Sequence, residues 1–200
     1  MKKFKLTNNK KEWFGKTLYQ IESLINFGNI QIGDKGGWVE KEENLSHNGD
    51  AWVYGDARVC GNARVYGDAE VYGDAEVCGN ARVYGDARVY GDARVYGDAW
   101  VYGDAEVYGD AWVCGDARVC GDARVCGDAN VFWITKIGSR LGTTTAFRNK
   151  HNGITITCGC FIGTLEEFEK QVNDTHGENK FGREYKALTE LIKIHFDVKE

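Results

Sequence analysis

The apolar positions of this chain change regime twice, and the middle regime is strictly periodic. From Gly49 to Phe132, valine recurs at every sixth residue (Val53 to Val131), as do alanine (Ala51 to Ala129) and glycine (Gly49 to Gly127), without a miss. The segment is fourteen successive hexapeptides of the form Gly-(Asp/Asn)-Ala-X-Val-(Tyr/Cys/Phe). A period of six excludes an α-helix, because six residues turn through about 600° and successive valines would point about 240° apart. Ala-X-Val-Tyr instead alternates as a short strand does, with alanine and valine on one side. Gly-Asp or Gly-Asn then supplies a bend.

The repeat resembles the hexapeptide-repeat family, and all fourteen units carry the resemblance. It implies a mainly β fold: a left-handed parallel β-helix of triangular cross-section, about five coils of 18 residues each, with valine and the small residue two before it facing inward. It also implies that Asn or Asp holds the left-handed corner position and that the molecule is a homotrimer. Residues eighteen apart then stack about 4.8 Å above one another. The first wall displays Tyr54, Tyr72, Tyr90, Tyr108 and Cys126 beside Trp52, Glu70, Arg88, Glu106 and Arg124. The second displays Cys60, Cys78, Tyr96, Cys114 and Phe132 beside Arg58, Glu76, Arg94, Trp112 and Asn130. The third displays Tyr66, Tyr84, Tyr102 and Cys120 beside Arg64, Arg82, Trp100 and Arg118.

Charge separates these walls. The first alternates Glu and Arg, which makes favourable rungs and reads as structural. The third carries arginine and no glutamate, so Arg64, Arg82, Trp100 and Arg118, with Tyr66, Tyr84 and Tyr102, form a candidate strip for a phosphate or another anion. The competing reading is that arginine stems cover aromatic rings for stacking and solubility. The repeats hold seven arginines against twelve aspartates and three glutamates, a net −8 within a chain of net −5, which argues against a dedicated nucleic-acid solenoid. Two corner columns are aspartate throughout; the third is mixed, with Asn62, Asn80, Asp98 and Asp116. Eight outward tyrosines, with Trp52, Trp100 and Trp112, suggest that at least one wall is covered by a second copy.

Both open ends of a stacked coil need covering. The expected organisation is a capping segment over 1–37, the coil over 38–132 and a small α+β module over 133–200. Gly36-Gly37-Trp38-Val39 and Leu45 read as a degenerate first coil, and this leader resembles that of uncharacterised bacterial and phage-borne hexapeptide-repeat proteins. In the tail, Thr143 to Arg148 and Ile154 to Cys158 read as strands joined across Lys150-His151-Asn152-Gly153. Thr164-Leu165-Glu166-Glu167 is a capping box opening one helix, and a second runs from about Phe181 to Phe196. The expectation is a ββαα module.

Candidate chemistry is sparse. Hexapeptide-class acyltransferases use a histidine base beside a loop that interrupts the coils, but the fourteen units here have neither histidine nor insertion; His47 precedes them, and His151, His176 and His195 come after them. Cys158 and Cys160, with His151 and His176, are weak candidates for a metal at unusual spacing, and no metal or other cofactor is expected. Lys136, Ser139 and Arg140, with Thr143 to Thr145, form either an anion site or the junction with the last coil. Seven cysteines read as mostly free thiols, with Cys60 and Cys78 standing in for tyrosine. No secretory signal or membrane span is legible, which points to the cytoplasm. The expected function is a non-enzymatic oligomeric scaffold, of phage or prophage origin, presenting the tail module to a host or viral macromolecule. An acyltransferase with a site between subunits and an anion or nucleic-acid binder are the alternatives.

Overall fold

A computed structural model describes residues 1–127, 131–149 and 151–198. Asp128, Ala129, Asn130 and Lys150 lie outside the described residues, and with them the Asn130 position of the second wall and one position of the tail turn.

The periodic segment is a three-walled β-solenoid. Thirteen short strands among the described residues, β4 (Trp52–Val53) to β16 (Arg124–Cys126), stack in parallel at the eighteen-residue offset: Glu70 pairs with Arg88 on the first wall, Arg58 with Glu76 on the second and Arg64 with Arg82 on the third. Valines 53 to 125 and alanines 51 to 123 of the repeat are fully buried and form one continuous core. Backbone bonds run from coil to coil, as from Arg64 N to Ala81 O at 2.9 Å and from Tyr66 N to Val83 O at 3.0 Å.

The corners correct one expectation. Every repeat glycine has a positive φ, and none of the described repeat Asp or Asn residues does. The reason is steric. At Gly67 (φ +72°) a Cβ would lie 2.9 Å from Gly85 N, and at most of the stacked corners the next glycine's backbone likewise leaves room only for hydrogen. The aspartate after each such glycine keeps an ordinary backbone, and Asp68 N donates to Gly85 O at 2.9 Å.

The N-terminal segment is a hairpin that extends the second wall. Strands β1 (Phe4–Trp13) and β2 (Lys16–Ser23) pair antiparallel, β2 pairs with β3 (Lys35–Val39), and β3 joins the coil in parallel with Arg58–Val59. The first coil is longer than the others. Val39 pairs with Val59 and Leu45 bridges to Val65, both at a twenty-residue offset, whereas Val53 pairs with Val71 at eighteen. The two extra residues fall between Leu45 and Val53, in the stretch that holds His47.

This cap overturns the outward placement of Trp52. Its side chain is fully buried, edge-on to Phe4 and Phe27. Leu18 and Trp13 of the hairpin also pack over Cys60 and Cys78 on the second wall. Those two cysteines stack as expected, with Cα atoms 4.6 Å apart, but they form a disulfide and do not merely replace tyrosine.

The tail differs from ββαα by two strands. Four antiparallel strands, β17 (Val131–Ile137), β18 (Gly142–Arg148), β19 (Ile154–Cys158) and β20 (Phe161–Thr164), precede α1 (Leu165–His176) and α2 (Lys180–His195). The expected division at 132–133 falls inside β17. The capping box forms: Glu167 N donates to Thr164 Oγ1 at 3.2 Å, and Thr164 N donates to Glu167 Oε2 at 2.8 Å. Both helices bury the faces read from the sequence, Leu165, Phe168 and Val172 on α1 and Tyr185, Leu188 and Ile192 on α2. Among the described residues, no helix is long and apolar enough to cross a membrane.

Candidate functional site

The third wall brings together most of the anticipated strip. Arg64, Arg82 and Arg118 are exposed and Trp100 half-buried, in one column: Arg64 pairs with Arg82, Arg82 with Trp100 and Trp100 with Arg118. Trp100 lies between two guanidinium groups, that of Arg82 at 4.9 Å and that of Arg118 at 5.0 Å from its ring. Tyr66, Tyr84 and Tyr102 form a face-to-face ladder beside it, with ring centroids 4.8 and 5.0 Å apart. Burial raises the phenol pKa of each; at Tyr102 the bond to Cys120 adds to the rise. The tyrosine faces are therefore engaged with each other, and the guanidinium groups of Arg82 and Arg118 lie over Trp100.

A groove of about 670 Å³ runs along this wall and also takes in Lys41, Glu43 and the mixed corner column. The amides of that column are wired together. Lys41 Nζ donates to Asn62 Oδ1 at 2.9 Å, Asn62 Nδ2 to Asn80 Oδ1 at 3.2 Å and Asn80 Nδ2 to Asp98 Oδ1 at 3.0 Å. A second hollow of about 720 Å³ on the other side shares Glu43, Arg64 and Arg82 and reaches Lys2 and His47.

The other walls carry comparable residues in a different arrangement. On the first, Arg88 lies 3.5 Å from Glu70 and 3.7 Å from Glu106, and Arg124 lies 3.7 Å from Glu106. On the second, Arg58 contacts Asp74 at 3.2 Å and Glu76 at 3.4 Å and lies over the Trp13 ring. Among the described residues no carboxylate comes within ion-pair distance of Arg64, Arg82 or Arg118.

The tail candidates divide. Ser139 and Arg140 line a hollow of about 510 Å³ together with Cys158, Cys160 and His176 and with the apolar Phe161, Phe168 and Val172. Thr144 Oγ1 donates to Cys158 Sγ at 3.2 Å, and the Tyr185 hydroxyl lies 3.7 Å from the same sulfur. Burial, and then the hydrogen bond with Cys158, pushes the Tyr185 phenol well above its ordinary range. Lys136 is elsewhere, exposed at the irregularity of β17 with φ +59°. His151 sits on the exposed β18–β19 turn, away from the other three metal candidates. Among the described residues no three His, Cys, Asp or Glu side chains converge as a metal would require. Thr145 belongs to the junction: Arg118 N donates to its Oγ1 at 3.1 Å, while Thr157 Oγ1 donates to Arg118 O at 3.2 Å.

His47 is held from three directions. Its Nδ1 accepts from Lys3 N at 3.2 Å, its Nε2 lies 2.8 Å from Glu42 Oε1, and its ring stacks on Phe4 at 4.4 Å. Sequence reasoning missed Lys41, Glu43 and the part played by Asn62 and Asn80. The column rule that grouped the arginines contains the signal for the amides, since Asn62 and Asn80 stand two residues before Arg64 and Arg82. Lys41 and Glu43 lie outside the repeat, where no such rule reaches.

Comparison with known proteins speaks to the rod. Residues 57–73, 75–89 and 87–103 match the family described as YdcK Beta solenoid repeat. No curated protein matches the chain. The matched segments span the coils that carry Arg58 to Arg94, so the rod is similar to a β-solenoid repeat in sequence as well as in form.

Proposed function

We propose that the protein is a non-enzymatic display scaffold, a stiff rod that holds its C-terminal module in a set position for a macromolecular partner. The observation that carries this reading is the continuity of the core through the junction. Phe147 of β18 and Val131 of β17 pack in the same buried cluster as the coil valines, and Thr145 and Thr157 clasp the backbone of Arg118. A module joined by a shared core moves with the rod, as a tethered domain would not.

The engagement of His47 by Lys3, Glu42 and Phe4 supports the same reading over acyl transfer, because a general base needs a free nitrogen facing substrate. With this function go a left-handed coil, a homotrimer and a phage or prophage origin, drawn from the resemblance of the repeat and its leader, together with the cytoplasmic setting expected from the sequence. Trp112, 47% exposed on the second wall beyond the reach of the hairpin, offers apolar surface to another copy.

Native mass spectrometry of the full chain purified from its own host tests the reading. It is expected to report three subunits without acyl-CoA. A single subunit, or an acyl-CoA bound to the complex, overturns it.

A further inference from the structure

The arginines of the third wall pose a problem that those of the first do not. Arg64 and Arg82 occupy directly paired positions on adjacent strands, where like charges repel. The first wall relieves that repulsion by setting glutamates between arginines. The third sets nothing between Arg64 and Arg82, and Arg118 stacks on Trp100, with no carboxylate at ion-pair distance among the described residues.

The neighbouring corner changes in the same two coils. The all-aspartate columns have Asp68 and Asp86, or Asp56 and Asp74, at the corresponding heights, whereas beside Arg64 and Arg82 the corner residues are the neutral Asn62 and Asn80. In a rod whose repeats carry a net −8, the negative charge is withdrawn where two guanidinium groups face solvent together. Lys41 extends the positive end, held toward the groove by Asn62. Three carboxylates also line the groove: Asp98 and Asp116 stand in later coils, and Glu43 comes from the same segment as Lys41.

We propose that this groove binds a small phosphate-bearing anion, with Arg64 and Arg82 gripping one phosphate group and Lys41 beside them. Adjacent guanidinium forks match the oxygens of a tetrahedral anion bearing about two charges better than they match a single carboxylate. Size and composition select a small ligand over a nucleic-acid strand. The groove is of ligand dimensions, the rod as a whole is acidic, and the faces of Trp100 and the tyrosines are occupied by arginines and by one another. Bases therefore find no free stacking platform of the kind single strands use.

Calorimetric titration of the full chain with inorganic pyrophosphate, with ATP and with a single-stranded oligonucleotide tests the proposal. Saturable binding of pyrophosphate or ATP is expected, weakening as salt rises. It should fall roughly tenfold to a hundredfold in Arg64→Ala with Arg82→Ala, each lost charge-assisted bond contributing to the loss. Arg88→Ala on the first wall should leave it unchanged. Asn62→Asp with Asn80→Asp leaves the arginines in place and restores the corner charge; it should weaken binding by a similar factor. The side chains changed in these variants are all exposed, so each variant should fold, and a single cooperative thermal transition with the parent far-ultraviolet circular dichroism reports that it has, even where the lost contacts shift the midpoint. The proposal is overturned if neither pyrophosphate nor ATP binds at millimolar concentration, if only the oligonucleotide binds, or if the Arg64/Arg82 variant binds as well as the Arg88 variant.

Discussion

At the residue scale, two positions show how tightly the coil constrains its chemistry. Gly85 (φ +73°) would place a Cβ 3.0 Å from Gly103 N, whereas at Gly55 (φ +55°) a Cβ meets nothing within 4 Å. Alanine at either position carries the left-handed penalty of roughly 1–2 kcal/mol, and only at Gly85 is a tight contact with the next coil's backbone added. Gly85→Ala is therefore expected to lower unfolding stability clearly more than Gly55→Ala in parallel denaturant titrations; equal losses would refute the steric account. The second position is Lys3, which is almost fully buried and donates to Gly49 O at 3.0 Å and Ala51 O at 2.7 Å. Burial lowers its pKa from 10.5 to about 8, against the opposing pull of Asp50 and Asp68. Below pH 8 the amine is protonated in both states and the fold bears the cost of burying it. Between pH 8 and 10.5 the unfolded chain holds a proton that the folded chain sheds, so stability rises with pH. The stability of the parent relative to Lys3→Met should increase from about pH 7.5 to about pH 10, and a flat difference would remove Lys3 from this role.

At the element scale, the rungs and the two tail helices were legible because each rests on a local rule. Period-six valines cannot share a helix face, and Thr164 with Glu167 can cap only a helix that begins at Leu165. The N-terminal hairpin was not legible as strands. Its turn is Phe14-Gly15, both at positive φ, and Phe is a poor marker of that conformation beside Asn-Gly. β17 escaped because its first residues, Val131 and Phe132, also complete the last hexapeptide, so one periodicity concealed another. β20 is four residues long and contains Gly163, too short for alternation to register. The candidate groove was half legible: its arginines and tryptophan obey the column rule, while Lys41 and Glu43 come from a coil that departs from it. Pairing of β17 with β18 places Val131 opposite Phe147, and both are buried with the coil core. Phe147→Ala should therefore cost about 3–5 kcal/mol and destabilise rod and tail together. Fluorescence and far-ultraviolet circular dichroism should show one shared transition at a lower midpoint. A tail that melts alone while the rod holds would mean that the junction is not a common core.

At the scale of the whole molecule, the stacked tyrosines tie stability to alkaline pH. Burial, with Glu70 adding to it, raises the Tyr54 phenol to about 12, and burial with Glu106 does the same at Tyr90. Tyr66, Tyr72, Tyr84 and Tyr108 also move upward, with burial the leading cause in each. A phenol harder to ionise in the folded state keeps its proton there while the unfolded chain loses it, so its contribution is whole below the ordinary phenol value of about 10 and declines as pH rises from there toward the folded value. This acts on two walls at once, since the ladders Tyr72–Tyr90–Tyr108 and Tyr66–Tyr84–Tyr102 run along separate faces. The gain at Lys3 and the loss at the tyrosines oppose each other near about pH 10 and part above it, where only the loss continues. Unfolding free energy measured from about pH 8.5 to about pH 11.5 should thus turn downward above about pH 10, and Tyr90→Phe, which removes a raised phenol while keeping its ring in the ladder, should make that descent shallower. If the descent is unchanged in Tyr90→Phe and in the matching Tyr84→Phe, alkaline sensitivity arises elsewhere and the ladders contribute packing alone.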